Sequence, residues 1–163
     1  MNEQSSTFLT EKKLSNLQER TEITVKTVES GGAIDIILQK NTNSKEHYGN
    51  ASLQKIRQPL PHIFLNSLDI IPRYRFKDKK YGSILLEEVN ALLRNKKMVG
   101  VVNNAIESRE FPKKYDNQGK ILDPRDLYWN HDWVPMSGDL PYFIYNPPGS
   151  GIETEEFIRQ YIG

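Results

Sequence analysis

The stretch DLYWNHDWVPMSGDLPYFIYNPPGSG, residues 126–151, is the most distinctive part of this chain. It contains four of the nine prolines and a dense set of aromatic side chains. Proline lacks the N–H that a central strand donates, so residues 133–136 are predicted as a short strand with Pro135 at an edge or end of a sheet. Residues 142–145 are predicted as a second strand after a turn. In such a hairpin the large rings cover one face, although each ring taken singly is more often simply core.

Three segments outside this stretch carry clear local patterns. Gly31 and Gly32 separate two runs in which apolar and polar residues alternate, which predicts a hairpin over residues 22–39. Residues 82–97 place leucine and valine at helical spacing, which predicts an amphipathic helix. Residues 150–162 predict a closing helix, with Ser150 and Glu153 at the spacing of a capping box.

Four further segments have weaker patterns. Residues 8–20 are interpreted as a first helix with Thr10 as its N-cap. Residues 40–60 are polar and lack a sustained period, which favours a loop or mobile segment. Residues 60–76 fit a buried strand or a short helix equally well, and residues 98–108 fit a strand or a helical turn. Both alternatives stay open.

Composition excludes several classes of function. The 22 lysines and arginines nearly cancel the 21 aspartates and glutamates, so no net field attracts nucleic acid or an anionic membrane. Cysteine is absent, which excludes disulfides and thiolate catalysis and suits a reducing compartment, so we expect a cytoplasmic protein. No signal pattern or long apolar run is present, so we expect neither secretion nor a membrane span.

The sequence lacks the common catalytic and metal-binding motifs. The three histidines are not at metal-ligand spacing, and no phosphate-binding glycine loop or nucleophile elbow occurs. We therefore expect no metal and no cofactor. His131 beside Asp132 suggests a base with an orienting carboxylate, but neighbours on an extended segment point to opposite sides. A surface or turn histidine is the better interpretation.

An ordered set of residues in the second half of the chain carries a family resemblance. The set is Trp133, Pro135, Gly138, Asp139, Asn146, Pro147, Gly149 and Gly151. Over residues 81–151 the chain resembles the SUKH superfamily, which includes fungal cell-wall assembly regulators and bacterial immunity proteins. Members commonly carry an aspartate where this chain has Asn146. The resemblance implies an α+β fold with an antiparallel sheet backed by helices. The length of the chain favours one domain over residues 1–163, with a possible mobile loop at 40–60.

The resemblance also implies a function without catalysis. Bacterial members bind a partner protein, often a toxin, so we expect an immunity protein that neutralises a toxin by direct binding. Aromatic and charged anchors suit such an interface. The candidate partner-binding residues are Asp126, Tyr128, Trp129, Trp133, Asp139 and Tyr142.

Two other classes of function stay open. One is a small hydrolase or transferase with a pocket near residues 126–139 and the 40–60 segment, using His131, Asp132 or Asp139. It requires ionisable groups that converge in a concave site. The other is a structural or interaction domain of a phage or mobile element, with its aromatic residues entirely internal.

Overall fold

The fold is seen in a computed structural model that describes residues 7–16, 21–40, 47–71, 81–103, 114–115, 121–122, 124–136 and 142–162. Within these ranges the strands are β1 (Thr7–Asn16), β2 (Thr21–Ser30), β3 (Ala33–Gln39), β4 (His47–Ile56), β5 (His62–Ile70), β6 (Gly100–Asn103), β7 (Lys114–Tyr115), β8 (Ile121–Leu122), β9 (Val134–Pro135) and β10 (Tyr142–Tyr145). The helices are α1 (Tyr81–Lys96), α2 (Pro124–Trp129) and α3 (Thr154–Ile162).

Eight of the strands form one mostly antiparallel sheet, in the order β1-β2-β3-β4-β5-β6-β10-β9. β5 and β6 pair in parallel, and β7 with β8 forms a separate antiparallel pair. The predicted α+β class, an antiparallel sheet with helices, is confirmed. Contacts divide the chain into two compact units, residues 1–55 with 66–89 and residues 56–65 with 90–163.

The first unit is built on the predicted glycine hairpin, which is confirmed. β2 and β3 pair from Ser30 and Ala33 outwards, and Gly31 has a φ of 61°, a conformation that glycine adopts without steric strain. The apolar residues that alternate along both strands are buried, among them Ile23, Ile34 and Leu38. Burial on alternate positions is what a sheet with one covered face requires.

Two predictions in the first unit are wrong. The predicted helix at 8–20 is instead β1 over residues 7–16, because all ten of these residues pair with β2. That ladder outweighs the weak helical spacing of two leucines. The predicted loop at 40–60 contains β4, in which Gly49, Ala51 and Leu53 alternate as buried residues. Because Gly49 and Ala51 are small, only Leu53 left a clear apolar signal among these three residues.

The close approach of β4 to the end of β5 explains the glycine in β4. A Cβ on Gly49 would lie 2.4 Å from the Asp69 carbonyl oxygen. The N–H of Ile71 donates to the Tyr48 carbonyl at 2.9 Å, and the Tyr48 ring stacks on Tyr81 with centroids 4.1 Å apart. Any larger residue at position 49 would therefore separate the two backbones.

The second unit contains the aromatic and proline-rich residues 126–151. Residues 62–65 of β5 lie in this unit, and β6 and β10 continue its sheet. The two open segments therefore form strands, β5 and β6, and the predicted strand at 142–145 is confirmed. The amphipathic and closing helices are also confirmed as α1 and α3.

Candidate functional site

Strand β10 separates the aromatic side chains of the second unit into two groups. Successive residues of a strand point to opposite faces. On one face, Phe143 and Tyr145 contact Tyr128, Trp129 and Trp133. We call these five residues the tryptophan cluster. Tyr142 points the other way, into a helix cluster that we define as His62, Tyr142, Phe157 and Tyr161.

Trp133 is the centre of the tryptophan cluster and is 1 % exposed. Its indole Nε1–H donates to Oδ1 of Asn90 at 2.7 Å, and Nδ2 of Asn90 donates to the His131 carbonyl at 2.9 Å. Asn90 is itself buried in α1. One side chain thus satisfies the indole and a loop carbonyl together, as buried polar groups require.

Gly100 makes room for the indole at the start of β6. A Cβ on this residue would lie 2.5 Å from Cδ1 of Leu93 and 2.9 Å from Cη2 of Trp133. Real Cβ atoms do not approach other atoms so closely, so only glycine fits without repacking. The Tyr145 ring stacks against Trp133 with centroids 5.8 Å apart, and its hydroxyl accepts from Nη1 of Arg94 at 3.2 Å.

Helix α2 ends in a turn that delivers Trp133 to this position. The Tyr128 carbonyl accepts from the N–H groups of both His131 and Trp133 at 3.0 Å. Asp132 has a φ of 69°, the left-handed conformation that such a helix end demands and that glycine usually supplies. Trp133 lies one residue before β9, whereas a strand over 133–136 was predicted. In the pattern that the SUKH resemblance implies, this tryptophan is part of the strand.

The predicted edge proline is confirmed. β9 consists of Val134 and Pro135 and is the last strand of the sheet. The N–H of Met136 donates to the Tyr142 carbonyl at 2.9 Å, and Pro135 lies opposite Phe143. Because hydrogen-bonded pairs alternate along an antiparallel ladder, the Pro135 nitrogen faces away from β10, where no ladder hydrogen bond is lost.

Burial corrects two of the six predicted partner-binding residues. Tyr128 and Trp133 are each 1 % exposed, so their rings belong to the core and offer no surface to a partner. Tyr142 is half-buried, and its ring meets Tyr161 with centroids 5.5 Å apart. Asp139 and the side chain of Asp126 lie outside the described part of the chain.

Trp129 is the predicted residue that the structure places at the surface. It is the last residue of α2 and is 57 % exposed. Its ring makes an edge contact with Phe143, with centroids 5.8 Å apart. Val134 on β9 is also exposed. Phe143, and with it Trp129, lies on the face of the tryptophan cluster. Val134 pairs with Ile144 and therefore points to the other face, so Trp129 and Val134 are exposed on opposite faces of the sheet at its edge.

The histidine of the proposed catalytic pair is used in a structural way. Nδ1 of His131 donates to the Leu127 carbonyl at 2.9 Å, since a carbonyl oxygen only accepts. This bond helps to satisfy a carbonyl at the end of α2 and orients the ring through the backbone. The residues of the described ranges contain no group of three His, Asp or Glu side chains that could hold a metal ion.

The helix cluster contains the histidine with a shifted pKa. His62 is buried, and its ring meets those of Phe157 and Tyr161 edge-on, each with centroids 5.4 Å apart. Burial lowers the pKa of His62, although the bond from its Nδ1–H to the Leu60 carbonyl, 2.7 Å long, opposes this. Burial and the neighbouring Tyr142 raise the pKa of Tyr161.

Asn146 connects β10 to α3. Its Nδ2 donates to the Ile152 carbonyl at 2.7 Å and to Oγ1 of Thr154 at 2.9 Å, while its Oδ1 accepts from Oγ of Ser150 at 2.6 Å. α3 begins at Thr154, so the predicted capping box at Ser150 and Glu153 is wrong. Oγ of Ser150 instead accepts from the N–H of Ile152 at 3.2 Å, before the helix begins.

Sequence reasoning missed Asn90, Gly100 and His62. Asn90 had a usable signal, since it is four residues after Leu86 and three before Leu93, on the apolar stripe of α1. A polar residue on such a stripe needs a buried partner. Gly100 and His62 had no such signal, because their neighbours come from distant parts of the chain.

Neither a protein-family model, nor a curated protein, nor a solved structure matches this chain. Among the helices in the described ranges, none combines the length and apolar character needed to span a bilayer.

Proposed function

We propose that this chain is a cytoplasmic protein-binding domain that neutralises a toxin by direct contact, as the SUKH resemblance implies, and that Trp129 is its main anchor. The observation that carries the proposal is a tryptophan that is 57 % exposed at the end of α2. A whole aromatic side chain buries about 150–250 Å², of which a partner would cover the exposed part of Trp129, and tryptophan is a dominant residue in many interfaces.

Trp129 is held in place before any partner arrives. Its ring packs on Phe143, and the next residues form the hydrogen-bonded end of α2 through the Tyr128 carbonyl. An anchor that is already ordered loses little conformational freedom on binding. The buried Tyr128 ring contacts both Phe143 and Trp133, and so supports the ring on which the anchor packs.

The edge strand beside the anchor disfavours binding by strand addition. β9 has two residues, and the outward-facing nitrogen of Pro135 has no hydrogen to donate. A partner that added a strand here would gain few backbone hydrogen bonds. Side-chain contacts with Trp129 and Val134 therefore account better for recognition at this edge.

The proposal is tested by co-expressing the chain with the toxin candidate encoded beside its gene and measuring growth. The chain should restore growth, and Trp129→Ala should weaken binding by at least about 2 kcal/mol, the usual effect of removing a dominant anchor. Affinity is measured by calorimetry with the isolated toxin domain.

Leu9→Ala is the matched control. Leu9 is 59 % exposed, close to the 57 % of Trp129, but lies on β1. This variant should bind normally, and both variants should keep the circular dichroism spectrum of the wild type. If the chain fails to restore growth, or if Leu9→Ala weakens binding as much as Trp129→Ala, the proposal is wrong.

A further inference from the structure

Among the described residues, the interface between α3 and its sheet contains a buried imidazole, that of His62. Phe157, at the centre of α3, packs with Val99, Val101, Met136 and Ile144. All of these side chains are apolar. His62 joins them from the start of β5 and is 1 % exposed.

The imidazole is enclosed by groups that cannot stabilise a positive charge by ion pairing. The Leu60 carbonyl faces Nδ1, and the rings of Phe157 and Tyr161 meet the imidazole at 83° and 81°. Tyr142 approaches from β10 through its contact with Tyr161. No carboxylate of the described residues forms an ion pair with His62.

The charged groups of α3 are directed elsewhere. Arg159 forms an exposed ion pair with Glu156, and Gln160 donates to the same carboxylate at 2.8 Å. Glu155 is exposed. These groups form the solvent side of α3, whereas Phe157 and Tyr161 form the side that encloses His62.

The neutral imidazole fits this site because its single N–H group already donates a hydrogen bond. With Nδ1–H donated to Leu60, protonation adds its hydrogen at Nε2 and creates a buried cation. A buried charge without a partner is strongly unfavourable. The site can accept the proton by opening, and opening means separation of α3 from the sheet.

We propose that His62 makes the docking of α3 pH-dependent, so that acidification releases this helix while the tryptophan cluster stays closed. The direction of the pH dependence follows from the difference in proton affinity between the docked and open states. Burial lowers the pKa of His62 in the folded state from its ordinary value of 6.5, so the open state binds the proton more tightly. The docked state therefore has its full stability above about pH 6.5 and loses it as the pH falls towards the folded pKa. This inference does not depend on the proposed function.

Amide hydrogen exchange measured by NMR on the whole chain tests the inference. Rates corrected for their intrinsic pH dependence should show more opening of α3 at about pH 5 than at about pH 7.5, by up to about thirtyfold, the limit set by an imidazole that has its ordinary pKa of 6.5 in the open state. The indole N–H of Trp133 is the internal reference, since its partner Asn90 does not titrate, and its protection should not change.

Three variants complete the experiment. His62→Phe keeps an aromatic ring and His62→Gln keeps a hydrogen-bond donor, and neither should show the acid response. His131→Gln is the control, because Nδ1 of His131 also bonds a backbone carbonyl but lies outside the helix cluster, and it should respond as the wild type does. If one of the His62 variants fails to fold, the other and the wild type still decide the question.

Three results would overturn the inference. One is equal corrected protection of α3 at both pH values in the wild type. Another is an undiminished acid response in a folded His62 variant. The third is loss of protection at the Trp133 indole together with α3, since this would indicate global unfolding.

Discussion

The tryptophan cluster and the helix cluster lie on opposite sides of the same four-residue strand, β10, but different interactions hold their side chains together. Asn90 closes the first through hydrogen bonds between neutral groups that keep their charge state across physiological pH. Packing of α3 around His62 closes the second. Burial alone therefore does not determine whether a cluster responds to pH. The response depends on whether its buried polar group can take up a proton.

Each cluster also depends on one asparagine that bonds to more than one segment. Asn90 connects α1 to the Trp133 indole and to the His131 carbonyl. Asn146 connects β10 to the start of α3. Asn90 is buried whereas Asn146 is half-buried, so water can replace lost partners only at Asn146.

The largest effect on this comparison should come from Asn90→Leu. The substitution leaves the buried indole N–H without its partner, which costs about 1–3 kcal/mol, and removes one hydrogen bond to the half-buried His131 carbonyl, worth about 0.5–1.5 kcal/mol, so unfolding free energy should fall by about 1.5–4.5 kcal/mol. Urea unfolding measures it. Asn95→Leu on the exposed side of the same helix is the control and should change stability by less than about 0.5 kcal/mol. Equal effects would mean that Asn90 does not hold the cluster.

A smaller loss is expected from Gly100→Ala. The new Cβ would collide with Leu93 and Trp133, and because Asn90 holds the indole, the cluster cannot move aside freely. Overpacking of this kind lowers unfolding free energy by about 1–3 kcal/mol. The change should be visible in near-ultraviolet circular dichroism of Trp133.

Gly32→Ala provides the matched control for Gly100→Ala. A Cβ at position 32 would meet its nearest atom, Cβ of Lys55, at 4.0 Å, so the methyl group fits. This variant should keep the near-ultraviolet spectrum of the wild type. A normal spectrum and normal stability for Gly100→Ala would show that the cluster is less tightly packed than its distances indicate.

The smallest effect is expected from Asn146→Asp, which introduces the residue common in the SUKH superfamily. The carboxylate cannot donate to the Ile152 carbonyl or to Thr154, and unfolding free energy should fall by about 1 kcal/mol. Hydrogen exchange should show faster opening of α3 and no change at the Trp133 indole. Asn66→Asp, at an exposed position of β5, should be neutral. Loss of protection at the indole would contradict the independence of the two clusters.

Much of the fold was predictable from local chemistry. The glycine hairpin, the amphipathic α1, the closing helix and the edge position of Pro135 follow from periodicity, turn conformation and the missing N–H of proline. In contrast, β1 carries helical spacing but pairs along its whole length with β2. The weak helical preference of β1 is overridden because pairing with β2 provides hydrogen bonds along the whole segment, whereas a short isolated helix is only marginally stable.

The candidate site was predictable only as a set of residue types. The sequence placed tryptophans and tyrosines near Pro135, but both Trp129 and Trp133 looked equally suited to binding. Their difference in exposure arises from the end of α2, where a left-handed Asp132 turns Trp133 inwards and leaves Trp129 outside. That turn depends on hydrogen bonds to Tyr128 that no spacing rule indicates.

By itself the sequence determined which segments repeat with the period of a strand or helix, where the chain turns and which strand ends at a proline. Those properties depend on residues that are neighbours along the chain. Only the tertiary structure decided that Asn90 meets Trp133, that Gly100 makes space for the indole and that His62 lies beneath α3. The residues in each of these contacts are separated by 33 or more positions, and the free energy of burying a polar or aromatic group depends on which partners meet it in space.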